Sequence, residues 1–147
     1  MKVALASDHA GFAVKESLKP LLESIGLEVS DLGTASTESV DYPDYAEAVA
    51  RAVERGEAEQ GVLVCGSGTG MAITANKVPG VRAAVAWNEE IARLAREHNN
   101  ANVLALGART TPEGTIPAIV RAWFETGFAG GRHQERIDKI ERVEEEN

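Results

Sequence analysis

An α/β fold is predicted, a three-layer α/β/α Rossmann-like sandwich with a five-stranded parallel sheet and a C-terminal helix, and two observations predict it. Short apolar runs alternate with segments of helical periodicity along most of the 147 residues. The runs, such as Val3-Ala4-Leu5-Ala6 and Gly61-Val62-Leu63-Val64-Cys65, are nearly continuous. They lack the polar/apolar alternation of a half-exposed strand, so they suit strands covered by helices on both faces. The length corresponds to one domain, residues 1–147.

The elements follow in order. After the first strand, Val14, Leu18, Leu21, Leu22 and Ile25 recur on one helical face. Gly26 fits the stop of that helix, and Pro20 inside it predicts a kink or distortion. Leu27–Leu32 reads as the second strand, and residues 33–43 are polar and turn-rich. Tyr45, Val49, Ala52 and Val53 mark the next helix. The third strand, residues 61–65, leads through Gly66-Ser67-Gly68-Thr69-Gly70 into a short helix over Met71–Asn76. Val81–Trp87 reads as the fourth strand. Ile91, Leu94, Ala95 and His98 share a helix face, and Asn102–Leu106 forms the fifth strand. Ile116, Ile119, Val120 and Trp123 mark another helix. Beyond the break at Gly127–Gly131, Arg132–Glu146 is a charged helical tail with Ile137 and Ile140 on one side, suited to docking, including on another subunit.

Composition narrows the function. Aromatic residues are only 5%, so the core must be built mainly from Ala, Val, Leu and Ile. Lys and Arg number 15 against 23 Asp and Glu, a net charge of −8. Such a chain repels polyanions, which argues against nucleic-acid or anionic-membrane binding but allows a local basic pocket for a small anion. Cys65 is the single cysteine, so no intramolecular disulfide can form. The apolar start, Val3–Ala6, is shorter than a signal-peptide core, and the cytoplasm is the expected location.

In an open parallel sheet, ligands collect beyond the carboxyl ends of the strands. Those ends carry Ser7-Asp8-His9, Cys65 to Gly70, Asn88, and Gly107 to Thr111. Alternating glycines between a strand and a helix let backbone N–H groups converge on an anion, or simply make a tight turn. The G-x-G-x-G spacing is neither a Walker loop nor the dinucleotide fingerprint. Cys65, just before this loop, is either a thiol activated as nucleophile or base or a small buried residue closing a Val-rich strand. Asp8-His9 reads as an acid–base pair or as a helix N-cap and its first turn. His98 reads as a proton donor or as a histidine at a helix C-terminus. Arg132 and Arg136 share a helix side and could clamp a phosphate or pair with Glu135, Asp138 or Glu141, and Arg109 carries the same ambiguity. The histidines show no metal-ligand spacing and Cys65 has no cysteine partner, so no metal site is indicated.

Taken together, these segments resemble the type B ribose-5-phosphate isomerases, a family that includes galactose-6-phosphate and allose-6-phosphate isomerases. The resemblance is carried by Ser7-Asp8-His9-Ala10-Gly11-Phe12, Asp41-Tyr42-Pro43, Cys65 to Met71, Ala75-Asn76-Lys77, Glu97-His98-Asn99, Asn102 to Arg109 and Gly130 to Arg136. It implies aldose–ketose isomerisation of a phosphosugar through a cis-enediolate, without metal or organic cofactor. It also implies a homodimer or dimer of dimers with the active site shared between subunits. By the resemblance, Cys65 takes the place of the base on C2 and Ser67 that of the hydroxyl moving a proton between O1 and O2. The backbone of Gly66 to Gly70, with Gly68 and Thr69, holds the enediolate oxygen. Asp8 and His98 match the pair that opens the furanose ring, with His98 facing the partner's site. Asn99 and Tyr42 match contacts to sugar hydroxyls, and His9, Arg109, Arg132 and Arg136 match the phosphate set. Ribose 5-phosphate is the expected substrate. A six-carbon sugar phosphate such as allose 6-phosphate, or a non-catalytic phosphosugar-binding module, is the alternative.

Overall fold

The computed structural model describes residues 1–112 and 114–147. Its elements are β1 (Lys2–Ser7), α1 (Phe12–Ser24), β2 (Glu28–Asp31), α2 (Tyr42–Glu54), β3 (Gln60–Cys65), α3 (Thr69–Ala75), β4 (Ala83–Val85), α4 (Glu89–Asn99), β5 (Val103–Gly107), α5 (Ile116–Glu125) and α6 (Arg132–Glu145). The five strands form one sheet in the order β2-β1-β3-β5-β4, and every pairing is parallel.

The apolar runs explain the three layers. Along β1, β3 and β5, successive side chains enter opposite cores. Val3, Leu5, Val62, Val64, Leu104 and Leu106 pack with Leu18 and Leu22 of α1, Ala92 and Ala95 of α4, and Ile119 and Trp123 of α5. Ala4, Ala6, Leu63, Cys65 and Val103 pack with Ala46, Val49 and Ala50 of α2 and with Met71 and Ala75 of α3. The second core is built largely from alanine and valine, which is how a chain so poor in aromatics fills its interior.

The outer strands depart from the expectation. β2 is mostly exposed and β4 is only three residues long, half-buried and followed by exposed Trp87. Both are sheet edges, where pairing on one side and cover on one face suffice. Pro20 does not interrupt α1, which continues to Ser24. Pro20 and Glu16, whose carbonyl loses its partner, both face solvent, so water can satisfy that group.

Lys15 of α1 is a buried cation that sequence periodicity hides. Its Nζ donates to Asp31 Oδ1 and Oδ2 at 2.8 and 2.7 Å and to the Thr34 carbonyl at 2.8 Å. The same stretch is tied to β1, with Ser7 N–H donating to Gly33 O at 2.8 Å and Thr34 N–H to Ser7 O at 2.9 Å. Burial opposes ionisation of Asp31, but the ammonium groups of Lys15 and Lys19 and the Gly33 N–H outweigh it and hold the carboxyl below the usual carboxylate range. A depressed carboxylate stabilises the fold fully above its unfolded pKa, near 3.8, and loses that contribution as pH falls through its folded value. Asp31→Asn is therefore expected to cost about 2–3 kcal/mol in urea unfolding at pH 7, because it leaves a buried ammonium with only the exposed Glu16 carboxylate, at 3.2 Å, and the Thr34 carbonyl. The gap from the parent protein should begin to shrink below about pH 4, where Asp31 of the unfolded parent takes up a proton, and close as pH falls through the lower folded value. An undiminished gap at pH 3 would contradict this assignment.

Candidate active site

The strand order reverses direction between β1 and β3, and the helices that follow these strands pack on opposite faces, α1 in the first core and α3 in the second, which leaves a crevice at the carboxyl end of the sheet. Ser7 pairs with Val64 and Cys65 with Gly107, so the residues after these three strands emerge side by side. Asp8, Cys65, Gly66, Ser67, Gly70, Tyr42, Arg109 and Thr110 line a cavity of about 450 Å³ there.

Each side chain has a local reason for its place. Asp8 is buried, and its Oδ1 accepts from Gly11 N–H at 3.0 Å while its own N–H donates to Val64 O at 3.2 Å. Gly11, not Asp8, occupies the N-cap of α1. The N-cap reading of Asp8 is thus corrected: its carboxylate braces the turn leading into the helix. His9 accepts at Nδ1 from Val40 N–H at 3.2 Å. A backbone N–H can only donate, so the proton of a neutral His9 lies on Nε2, leaving a donor for a ligand.

Cys65 ends β3 and is buried. Gly68 N–H donates to its Sγ at 3.1 Å, a contact that would hold negative charge on the sulfur. Gly68 makes this possible with φ 78°, a backbone shape that suits glycine. Thr69 N–H points to Ser67 Oγ at 3.4 Å, and Ser67 itself is exposed. Helix α3 starts at Thr69, two residues earlier than the spacing predicts. Gly70 admits the Tyr42 ring, which a Cβ would meet at 2.5 Å. Arg109 is fixed by Arg109 N–H donating to Gly66 O at 2.9 Å, and its side chain lies over Gly66.

The remaining predicted residues lie elsewhere. Helix α4 follows β4 and precedes β5, so it runs back along the sheet and brings its last turn to the amino end of the strands. His98 and Asn99 sit in that last turn, closed by Asn100 with φ 45°. Arg132 and Arg136 are exposed on α6, which begins beside the same turn, where Ala129 N–H donates to Glu97 O at 3.1 Å. Among the described residues neither arginine has an ion-pair partner: Asp138 accepts from Gln134 at 2.8 Å, and Glu141 lies 3.6 Å from Arg82. The pairing reading of these two arginines therefore falls away.

His133 is a residue the sequence did not single out. It is buried against His98, the rings stacked with centroids 4.3 Å apart and planes 15° apart. Thr110, inside the Gly107–Thr111 strand end but given no role of its own, lines the cavity wall. Neither carries a local signal beyond proximity to Arg132 and Arg109. Among the described residues no group of three or more His, Cys, Asp or Glu could hold a metal ion, and no helix is long and apolar enough to cross a membrane.

Comparison with known proteins decides the family. The Ribose/Galactose Isomerase family matches residues 3–140. The chain belongs to that family. This isomerase is 44% identical to ribose-5-phosphate isomerase B of Escherichia coli, over 98% of this chain and 97% of the relative. The structure of Clostridium thermocellum ribose-5-phosphate isomerase B superposes with a TM-score of 0.97 at 47% identity, covering 99% of each chain. The Mycoplasma genitalium ribose-5-phosphate isomerase B, solved with bound ribulose 5-phosphate, superposes with a TM-score of 0.94 at 42% identity, covering 99% of this isomerase and 97% of that chain.

Proposed function

We propose that this isomerase interconverts ribose 5-phosphate and ribulose 5-phosphate through a cis-enediolate, with Cys65 as the base, in a site completed by a second copy of the chain. The observation that carries the reading is the division of the predicted residues. Asp8, Cys65, Ser67, Tyr42 and Arg109 share one cavity at the carboxyl end of the sheet. His98, Asn99, Arg132 and Arg136 share the opposite end, on α4 and α6. Neither half holds a whole site. A two-fold pairing of copies supplies each cavity with the missing half. Ile73, Ile140 and Val143, exposed at 58%, 48% and 60%, give such a pairing apolar surface to bury. The likeness to an isomerase bound to ribulose 5-phosphate supports the choice of sugar.

The chemistry runs in four steps. The partner's histidine at position 98 gives a proton to the ring oxygen while Asp8 takes the proton of the anomeric hydroxyl, opening the furanose. Cys65 thiolate takes the proton from C2 of the open aldose, and the electron pair moves into an enediolate. Backbone N–H groups of the Gly66–Gly70 loop hold the developing oxyanion, and Ser67 moves a proton between O1 and O2. The Cys65 thiol returns its proton to C1, giving the ketose. His9, through Nε2–H, and Arg109 from one chain, with Arg132 and Arg136 from the other, bind the phosphate. The chain acts as one domain in the cytoplasm, where its single thiol stays reduced.

The test is steady-state isomerisation of ribose 5-phosphate and allose 6-phosphate side by side, with EDTA present. Turnover of ribose 5-phosphate that survives EDTA and exceeds that of the six-carbon sugar is expected. A preference for allose 6-phosphate would move the enzyme to hexose chemistry with the same mechanism. No turnover on either would leave a phosphosugar-binding module.

A further inference from the structure

The stacked histidines carry an inference beyond the ring-opening role of His98. Of the three histidines, His133 alone is buried, while His9 and His98 are half-buried. Its ring covers one face of the His98 imidazole at a centroid distance of 4.3 Å, nearly parallel. The backbone holds this arrangement: Ala129 N–H reaches Glu97 O at 3.1 Å, His133 N–H reaches Gly130 O at 3.2 Å, and Ile137, one turn further, is buried. A half-buried imidazole in the last turn of a helix would otherwise rotate among rotamers, and a fixed neighbour on its face removes that freedom.

The two rings also sit in opposite helix fields. His98 lies in the last turn of the 11-residue α4, where the negative end of the macrodipole favours a cation. His133 lies in the first turn of the 14-residue α6, where the positive end disfavours one. The charged and titratable groups facing His133 are His98 and Glu97 from α4 and Arg132 and Arg136 from its own helix. Burial, then His98, Arg132 and Arg136, push the His133 imidazole down from its ordinary value, against the weaker pull of Glu97. Two imidazolium ions at this separation would repel, which adds to the disfavour of a charged His133.

We propose that His133 is a positioning residue that fixes the orientation of the His98 ring by stacking on its face. The inference rests on His98 serving as the ring-opening acid. It deepens that role by naming what aims the acid.

The experiment compares His98→Asn, His133→Ala and His133→Phe in two assays. Turnover of ribose 5-phosphate requires the ring to open. Exchange of the C1 hydrogen of ribulose 5-phosphate with solvent deuterium uses only the open chain. His133→Ala is expected to lower ribose 5-phosphate turnover about tenfold while leaving exchange unchanged. His133→Phe, which keeps a flat ring on His98, should restore turnover to within about threefold of the parent. Equal losses in both assays for His133→Ala, or no rescue by His133→Phe, would each overturn the proposal. If His98→Asn loses ribose turnover and His133→Ala does not, only the positioning role fails. If His98→Asn itself leaves ribose turnover intact, the ring-opening reading fails and takes the inference with it.

Discussion

Cys65→Ala is expected to lower kcat for ribose 5-phosphate about 10³-fold while changing phosphosugar affinity little. The base acts only as the C2 proton leaves, so its loss should fall on the transition state rather than on the bound sugar. The phosphate contacts assigned to His9, Arg109, Arg132 and Arg136 are untouched by the substitution. Cys65 is only 5% exposed, and its Sγ is the acceptor for Gly68 N–H. Alanine leaves that N–H without its partner, at a cost of about 1 kcal/mol in stability. Cys65→Ser separates the two roles, since a hydroxyl keeps an acceptor for Gly68 N–H but is a far weaker base than a thiolate. It should therefore unfold close to the parent protein and isomerise as poorly as alanine. Turnover in either variant within tenfold of the parent, with calorimetry showing normal binding, would remove Cys65 from the chemistry.

The second large effect is recovery of activity by mixing two inactive proteins. Cys65→Ala chains lack the base, and His98→Asn chains lack the ring-opening acid for ribose 5-phosphate. The fold forces these groups apart within one chain, because β3 delivers Cys65 to one end of the sheet and α4 carries His98 back to the other. In a mixed dimer, one site receives intact Cys65 and intact histidine, and the other receives both lesions. Co-refolding equal amounts makes half the dimers mixed, so about a quarter of all sites should be whole and activity should rise to about that fraction of the parent. A site contained in a single chain predicts no recovery at any mixing ratio.

The central part of the fold is legible in the sequence because its signal is local. β1, β3 and β5 are unbroken apolar runs, and they are the strands buried on both faces. The edges are less legible: Val81–Trp87 looks like a full strand, yet only Ala83–Val85 pairs, since nothing lies beyond β4 to extend the ladder. The meeting of Asp8, Cys65 and Arg109 follows from parallel strands alone, because their carboxyl ends must lie together. What periodicity could not supply was pairing across the chain. Lys15 reads as an ordinary surface cation until Asp31, sixteen residues away, turns out to hold it in the interior. His133 reads as one polar residue in a charged tail until α6 docks on α4 and covers His98. The separation of Asp8 from His98 within one chain is itself informative, since it calls for a second copy, as the resemblance implies.

The most direct test of Cys65 as the base uses the fact that it is the chain's single cysteine. Iodoacetamide modification followed by mass spectrometry, in parallel with residual isomerase activity and with or without ribose 5-phosphate, reports on one thiol only. Activity should fall in step with carbamidomethylation, and the phosphosugar should slow both together. Complete modification of Cys65 with isomerisation intact would contradict the assignment.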